Sequence, residues 1–144
     1  MRDAVIVYFD APVVVSIIMV DAHSPMPGRW YEGLSASVII SDLANLEVSA
    51  VISREFRAKR YTRAQADKAV GEFEILRAQS DRMSHGPRDF TPAELLIRDY
   101  STKLSVPDAL HLASAKDAGA MRATFGVRLA EAARAQGVEM AEFR

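Results

Sequence analysis

A single apolar run near the start of the chain, Ala4 to Val20 (AVIVYFDAPVVVSIIMV), limits the folds open to it. Its one charged residue is Asp10. Ala4 to Phe9 is rich in β-branched and aromatic residues, the composition of a buried strand. Asp10, Ala11 and Pro12 break the run: aspartate is a favoured helix N-cap, and proline is tolerated in a first helical turn. Val13 to Val20 then reads as a buried helix. A strand, an acid at its carboxyl tip and a buried helix form the opening unit of an open α/β sheet. Ligands bind such sheets outside the carboxyl ends of the strands, and Asp10 is predicted to stand there.

The same run has the length of a membrane span or signal peptide. A carboxylate at its centre would be costly in lipid, Arg2 is offset by Asp3, and no small-residue cleavage site follows. The segment is therefore expected to be core, with no membrane association and a cytoplasmic location. A length of 144 residues predicts a single domain over residues 1–144, able to bury a core without staples. The net charge of −1 provides no global basic field, so nucleic-acid binding would fall to local patches. With no cysteine, disulfides, zinc–thiolate sites and thiol catalysis are excluded.

Downstream, Asp21 to Gly33 reads as a loop or short irregular helix containing Trp30 and Tyr31. Ala36 to Ile40 is a second strand. Ser41 caps the next helix, with Asp42 in its first turn, where negative charge is favoured. Its apolar positions Leu43, Leu46, Val51, Ile52 and Phe56 run to about Lys59. Thr62 and Gln65 form a capping box for a third helix, whose apolar face is Ala66, Ala69, Val70, Phe73 and Leu76. The polar stretch Ser80 to Phe90 has room for a short edge strand. Thr91, Pro92 and Glu94 read as a second capping box, opening a helix to about Thr102. Ser105 to Asp108 open a fifth helix, largely buried and ended by Gly119. Ala120 to Phe125 reads as a strand, Gly126 to Gln136 as a last helix, and Val138 to Met140 as a final short strand. Such alternation with short connections predicts an α/β fold with a mostly parallel sheet covered on both faces.

Three acids stand among apolar residues: Asp10, Glu47 in LANLEVSAVI, and Asp108 in VPDALHLASA. A buried carboxylate must be paired, hydrogen-bonded or metal-bound. If the three converge at the sheet edge, they suit a hard cation such as Mg2+ or Mn2+, which takes oxygen ligands and keeps several waters. An ion of this kind promotes phosphodiester hydrolysis by activating water and polarising a phosphoryl oxygen. Spacing alone also allows Asp10 as a plain N-cap, Asp108 as a first-turn helix acid and Glu47 on a solvent face.

Four stretches resemble the PIN-domain family, and within it the VapC-type toxins of type II toxin–antitoxin pairs. They are Tyr8 to Ala11 (YFDA), Ser41 to Ala50 (SDLANLEVSA), Val106 to Ala113 (VPDALHLA) and Ala123 to Ala130 (ATFGVRLA). The resemblance implies a three-layer α/β/α sandwich around a mostly parallel sheet. It implies a Mg2+- or Mn2+-dependent endoribonuclease, a homodimer and a cognate antitoxin. It assigns Asp10, Glu47 and Asp108 as catalytic, metal-binding acids, and Ser41 as a polar contact near the metal; Thr124 and Arg128 are candidate RNA contacts beside the site, Arg128 suiting a phosphate or an ordinary surface position. The family usually carries a fourth acid just after the Thr124 position; Gly126 stands there instead. Either three acids suffice, or the chain is a PIN-fold module that binds its antitoxin or RNA without cutting.

Other features are less specific. Arg54, Arg57, Lys59, Arg60 and Arg63 cluster at one helix junction and suit RNA phosphate or an acidic partner segment, or simply a solvated helix end. His111 lies one turn after Asp108 and reads as a packed or hydrogen-bonded histidine before a general base. His23 and His85 fall in loops without partner spacing. Trp30 and Tyr31 suit a cover for the sheet edge or dimer seam before a stacking platform for a base. The apolar faces of the second and third helices leave a groove for an antitoxin helix. A receiver domain would want an acid pair after the first strand, and a haloacid-dehalogenase-type phosphatase would want Asp-x-Asp; Asp10-Ala11-Pro12 provides neither.

Overall fold

The first strand lies inside the sheet, as a doubly covered apolar run requires. A computed structural model of the chain describes residues 5–19, 36–119, 122–124 and 127–139. In chain order its elements are β1 (Val5–Phe9), α1 (Ala11–Ile18), β2 (Ala36–Ser41), α2 (Asp42–Arg57), α3 (Arg63–Ala78), β3 (Asp81–Met83), α4 (Pro87–Arg98), α5 (Val106–Asp117), β4 (Arg122–Thr124) and α6 (Val127–Ala135). The strands pair in the order β3-β2-β1-β4, every pair parallel. Phe9 lies opposite Ile40 on one side and Thr124 on the other. The tips of β1, β2 and β4 therefore share one edge, next to Asp10.

Alternation along β1 divides its side chains between two layers. Val7 and Phe9 join Val38 and Ile40 in a core closed by Val14 and Ile17 of α1, Val48 and Ile52 of α2, and Phe73 and Leu76 of α3. Tyr8 points the other way, into a cluster with Leu112 and Ala115 of α5 and Leu129 and Ala133 of α6. A third cluster joins Ala93 of α4 to Ala109, Leu110 and Ala113 of α5. The result is the expected three-layer α/β/α sandwich. Each fully buried Val, Leu, Ile or Phe contributes about 1.5–3 kcal/mol, so the first layer supplies much of the driving force.

Caps set the helix starts. Ser41 Oγ accepts from Ala44 N (3.1 Å) at α2. Thr62 and Gln65 form the reciprocal capping box of α3 (3.2 and 2.8 Å). Ser105 Oγ accepts from Asp108 N (3.3 Å) at α5. Gly119, with φ of 64°, follows α5 in the left-handed conformation that ends helices.

Three sequence expectations need correction. The helix expected from Thr91 begins at Pro87, with Gly86 as N-cap and Asp89 Oδ2 accepting from Gly86 N (3.0 Å). Pro92 lies inside it, where it forgoes the bond to the Arg88 carbonyl. On α2 the buried stripe is Ala44, Val48 and Ile52, while Leu46 and Phe56 are exposed. Val138 and Glu139 lie outside any strand. The expected edge strand within Ser80 to Phe90 is β3. The expectations for Asp21 to Gly33, including His23, Trp30 and Tyr31, fall outside the described residues.

Candidate active site

Asp10 is the residue on which β1 ends and α1 begins. Its Oδ1 accepts from Val13 N (3.2 Å), capping α1, and the residue is only 2% exposed. Two residues earlier, Tyr8 sends its hydroxyl beneath the same sheet edge. That hydroxyl lies 3.0 Å from Ser41 Oγ and 2.6 Å from His111 Nδ1. The two rings meet edge to face, their centroids 5.8 Å apart. The far nitrogen of the imidazole, Nε2, bonds Glu47 Oε1. Side chains from β2, β1, α5 and α2 are thus joined in one chain: Ser41, Tyr8, His111, Glu47.

Burial follows the same line. Ser41 and Tyr8 are fully buried and His111 is 2% exposed, whereas the Glu47 side chain is 31% exposed. The network runs from the interior to the surface and ends on a carboxylate. Burial pushes the Tyr8 hydroxyl well above the ordinary phenol range. The Ser41 bond opposes that rise, and the charges of Asp10, Glu47 and Asp89 add to it. Carboxylates from three different elements therefore act on one hydroxyl.

A second polar group lies beside the first. His85, just after β3, accepts from Leu43 N at Nε2 (3.3 Å) and meets Ser114 Oγ with Nδ1 (2.9 Å). Because a backbone N–H points at Nε2, the proton of the neutral ring is on Nδ1. Burial holds the His85 pKa below its ordinary value, Asp89 opposing and His111 reinforcing the shift. Asp89 is 3% exposed, and its Oδ1 has no hydrogen-bond partner among the described residues.

The remaining sequence candidates divide in two. Asp108 is half-buried in the first turn of α5, three residues before His111 and so on the same helix face. Thr124 ends β4 beside Phe9, at the tip that carries Asp10. Arg128 is in the first turn of α6, and Gly126 falls outside the described residues. Ser41, expected to offer a contact to metal or RNA, faces inward, its hydroxyl engaged by Tyr8 and Ala44. Among the described residues, no three Asp, Glu or His side chains stand close enough to enclose an ion. The donor chemistry nonetheless fits a hard cation. Mg2+ is commonly held by one or two carboxylates and several waters rather than by a protein cage, and ligating carboxylates are themselves commonly hydrogen-bonded, as Glu47 is to His111.

Sequence reasoning named Asp10, Glu47, Asp108 and His111 but missed Tyr8, His85 and Asp89. Tyr8 had a signal, since a tyrosine in a fully buried strand must find a partner for its hydroxyl. His85 had none in its local spacing. Of the basic cluster, Arg60 is committed to Glu55 (2.6 and 3.0 Å) and Arg63 to Asp67 (3.2 Å).

A family model for the PIN domain matches residues 7–135. The chain belongs to the PIN domain family. Three solved structures share this PIN fold. VapC20 of Mycobacterium tuberculosis, a Sarcin-Ricin loop cleaving toxin, aligns with a TM-score of 0.65 at 18% identity, over 88% of this chain and 94% of its own. VapBC2 of Rickettsia felis, bound to a DNA fragment from its promoter, aligns with a TM-score of 0.71 at 13% identity, over 96% and 99%. PAE2754 of Pyrobaculum aerophilum aligns with a TM-score of 0.62 at 15% identity, over 90% and 85%. Comparison with curated proteins returned no match. Among the described residues, no helix of this PIN domain is long and apolar enough to cross a membrane.

Proposed function

We propose that this PIN domain is a metal-dependent endoribonuclease toxin of the VapC type, cutting RNA phosphodiesters in the cytoplasm and neutralised by a cognate antitoxin. The observation that carries the reading is the buried Asp10 at the tip of β1, with Glu47, held by His111, acting on the same Tyr8 hydroxyl. The likeness to VapC20 and to the VapBC2 complex supports it.

Asp10, Glu47 and Asp108 would hold Mg2+ or Mn2+ as hard oxygen donors. When bound, such an ion polarises a phosphoryl oxygen and makes water nucleophilic near neutral pH. The chain's own residues do the rest. The α1 cap fixes the Asp10 carboxylate in position, and the His111 bond does the same for Glu47. Thr124, which ends β4 beside Phe9, and Arg128, in the first turn of α6, would be the residues offered to an RNA phosphate. The groove between α2 and α3, lined by Ile52, Phe56, Ala66, Val70 and Phe73 with Arg63 and Asp67 at its rim, suits an amphipathic antitoxin helix. Exposed Leu95, Tyr100 and Val106 around α4 and α5 offer apolar surface for a homodimer.

Gly126 favours one other reading, a module that binds antitoxin or RNA without cutting. Cleavage of total RNA by the purified chain, free of antitoxin, separates the two. The nuclease reading expects cutting with Mg2+ or Mn2+, its loss with EDTA, and its loss in Asp10→Ala. Cutting by Gly126→Asp alone would mean that the site is sound but disabled. Cutting by neither would favour the binding module.

A further inference from the structure

The hydrogen-bond chain from Ser41 to Glu47 does more than satisfy buried groups. An ionised carboxylate only accepts hydrogen bonds, so toward an ionised Glu47 the His111 contact is made by a proton on Nε2. A neutral ring with its proton on Nε2 leaves a lone pair on Nδ1, 2.6 Å from the Tyr8 hydroxyl that can donate to it, with Ser41 Oγ 3.0 Å from the same hydroxyl.

We propose that His111 is a positioning residue for Glu47, with the buried Tyr8–Ser41 pair holding the imidazole in the orientation that directs Nε2–H at Oε1. The inference rests on the reading of Glu47 as a metal ligand. Three features carry it. The ring is clamped at both ends, by Tyr8 at 2.6 Å on Nδ1 and by Glu47 on Nε2. The clamp is inside the protein, whereas the carboxylate it holds reaches solvent. The bond engages Oε1, leaving Oε2 on the same group for a cation. A partly exposed glutamate on the second turn of a helix would otherwise sample several rotamers, and ordering it at the moment of binding has an entropic cost. Partners that orient a ligating carboxylate typically change metal affinity by about 10–100-fold when removed.

The test uses the full chain and Mn2+ alone. Glutamine at position 111 can place an amide N–H near the site of Nε2, whereas asparagine reaches only the Nδ1 site. Titration calorimetry is expected to show Mn2+ binding weakened about tenfold or more in His111→Asn and restored to within a few-fold of wild type in His111→Gln. In the metal-free protein, long-range 15N–1H spectra are expected to show the His111 ring protonated at Nε2. A neutral ring protonated only at Nδ1 would overturn the proposal even if the variants fail to fold. So would wild-type affinity in His111→Asn. If the wild-type chain binds no Mn2+ while its ring is protonated at Nε2, the metal reading of Glu47 falls, and with it the purpose assigned to the clamp.

Discussion

The two faces of β1 are built on different principles. On one, Val7 and Phe9 enter an entirely apolar layer against α1, α2 and α3. On the other, Tyr8 carries a hydroxyl into a layer where β2, α2 and α5 contribute Ser41, Glu47, His111 and Ser114. The dry layer is held by transfer and packing, which depend on volume and little on direction. The polar layer depends on every group finding its partner, since an unmet buried donor or acceptor costs about 1–3 kcal/mol. The first is suited to holding the sheet, the second to fixing side chains at its edge.

Mutations that separate the two layers should differ in kind. Phe73→Ala in the dry layer is expected to cost about 3–5 kcal/mol in urea unfolding, while Mn2+ affinity of the folded fraction stays unchanged. Tyr8→Phe should cost less, about 1–3 kcal/mol, because it preserves shape but removes one hydrogen-bond partner from Ser41 Oγ and the partner of His111 Nδ1. Asp10→Ala should cost about 0.5–2 kcal/mol as a lost helix cap, yet abolish Mn2+ binding and RNA cleavage. A variant of Tyr8 as costly as Phe73→Ala, or an Asp10 variant that still cuts, would erase the distinction.

Two pH effects sharpen it. The native pKa of His85 is lowered from 6.5 by burial, so below that value the unfolded chain binds more protons than the folded one. Stability is therefore expected to fall as pH drops from about 6.5 toward the lowered native value, and His85→Gln should flatten that fall in thermal melts. The smallest effect belongs to the surface. Arg82 beside Asp42 (2.5 Å) holds that carboxyl below its ordinary 3.8. Its contribution is present above pH 3.8 and lost as pH falls through the lowered native value. Asp42→Asn should therefore be slightly less stable than wild type at pH 7 and equal to it at the acid end of the titration.

Local features of the sequence were the readable ones. Asp10 between strand and helix, the Ser41 cap, the Thr62–Gln65 box and the Ser105 cap each depend on residues within four positions, and all are present in the structure. The start of α4 was misread because Thr91-Pro92-x-Glu94 imitates the pattern that Gly86-Pro87-x-Asp89 forms. On α2, spacing identified a helix but not which of its apolar positions would face the sheet; Ala44 and Val48 are buried while Leu46 is not. The polar layer was not readable. Its bonds join residues 33, 103 and 64 positions apart, and no local pattern records that Tyr8, Ser41, His111 and Glu47 meet.

The central claim is that this polar layer directs carboxylates at a divalent cation beyond the tip of β1. The most direct test is diffraction from crystals of the chain soaked in Mn2+, recorded where manganese scatters anomalously. The account predicts an anomalous peak within bonding distance of Asp10 and of Glu47 or Asp108, with His111 still on Glu47. A manganese peak elsewhere, or none at this edge at saturating Mn2+, would contradict it.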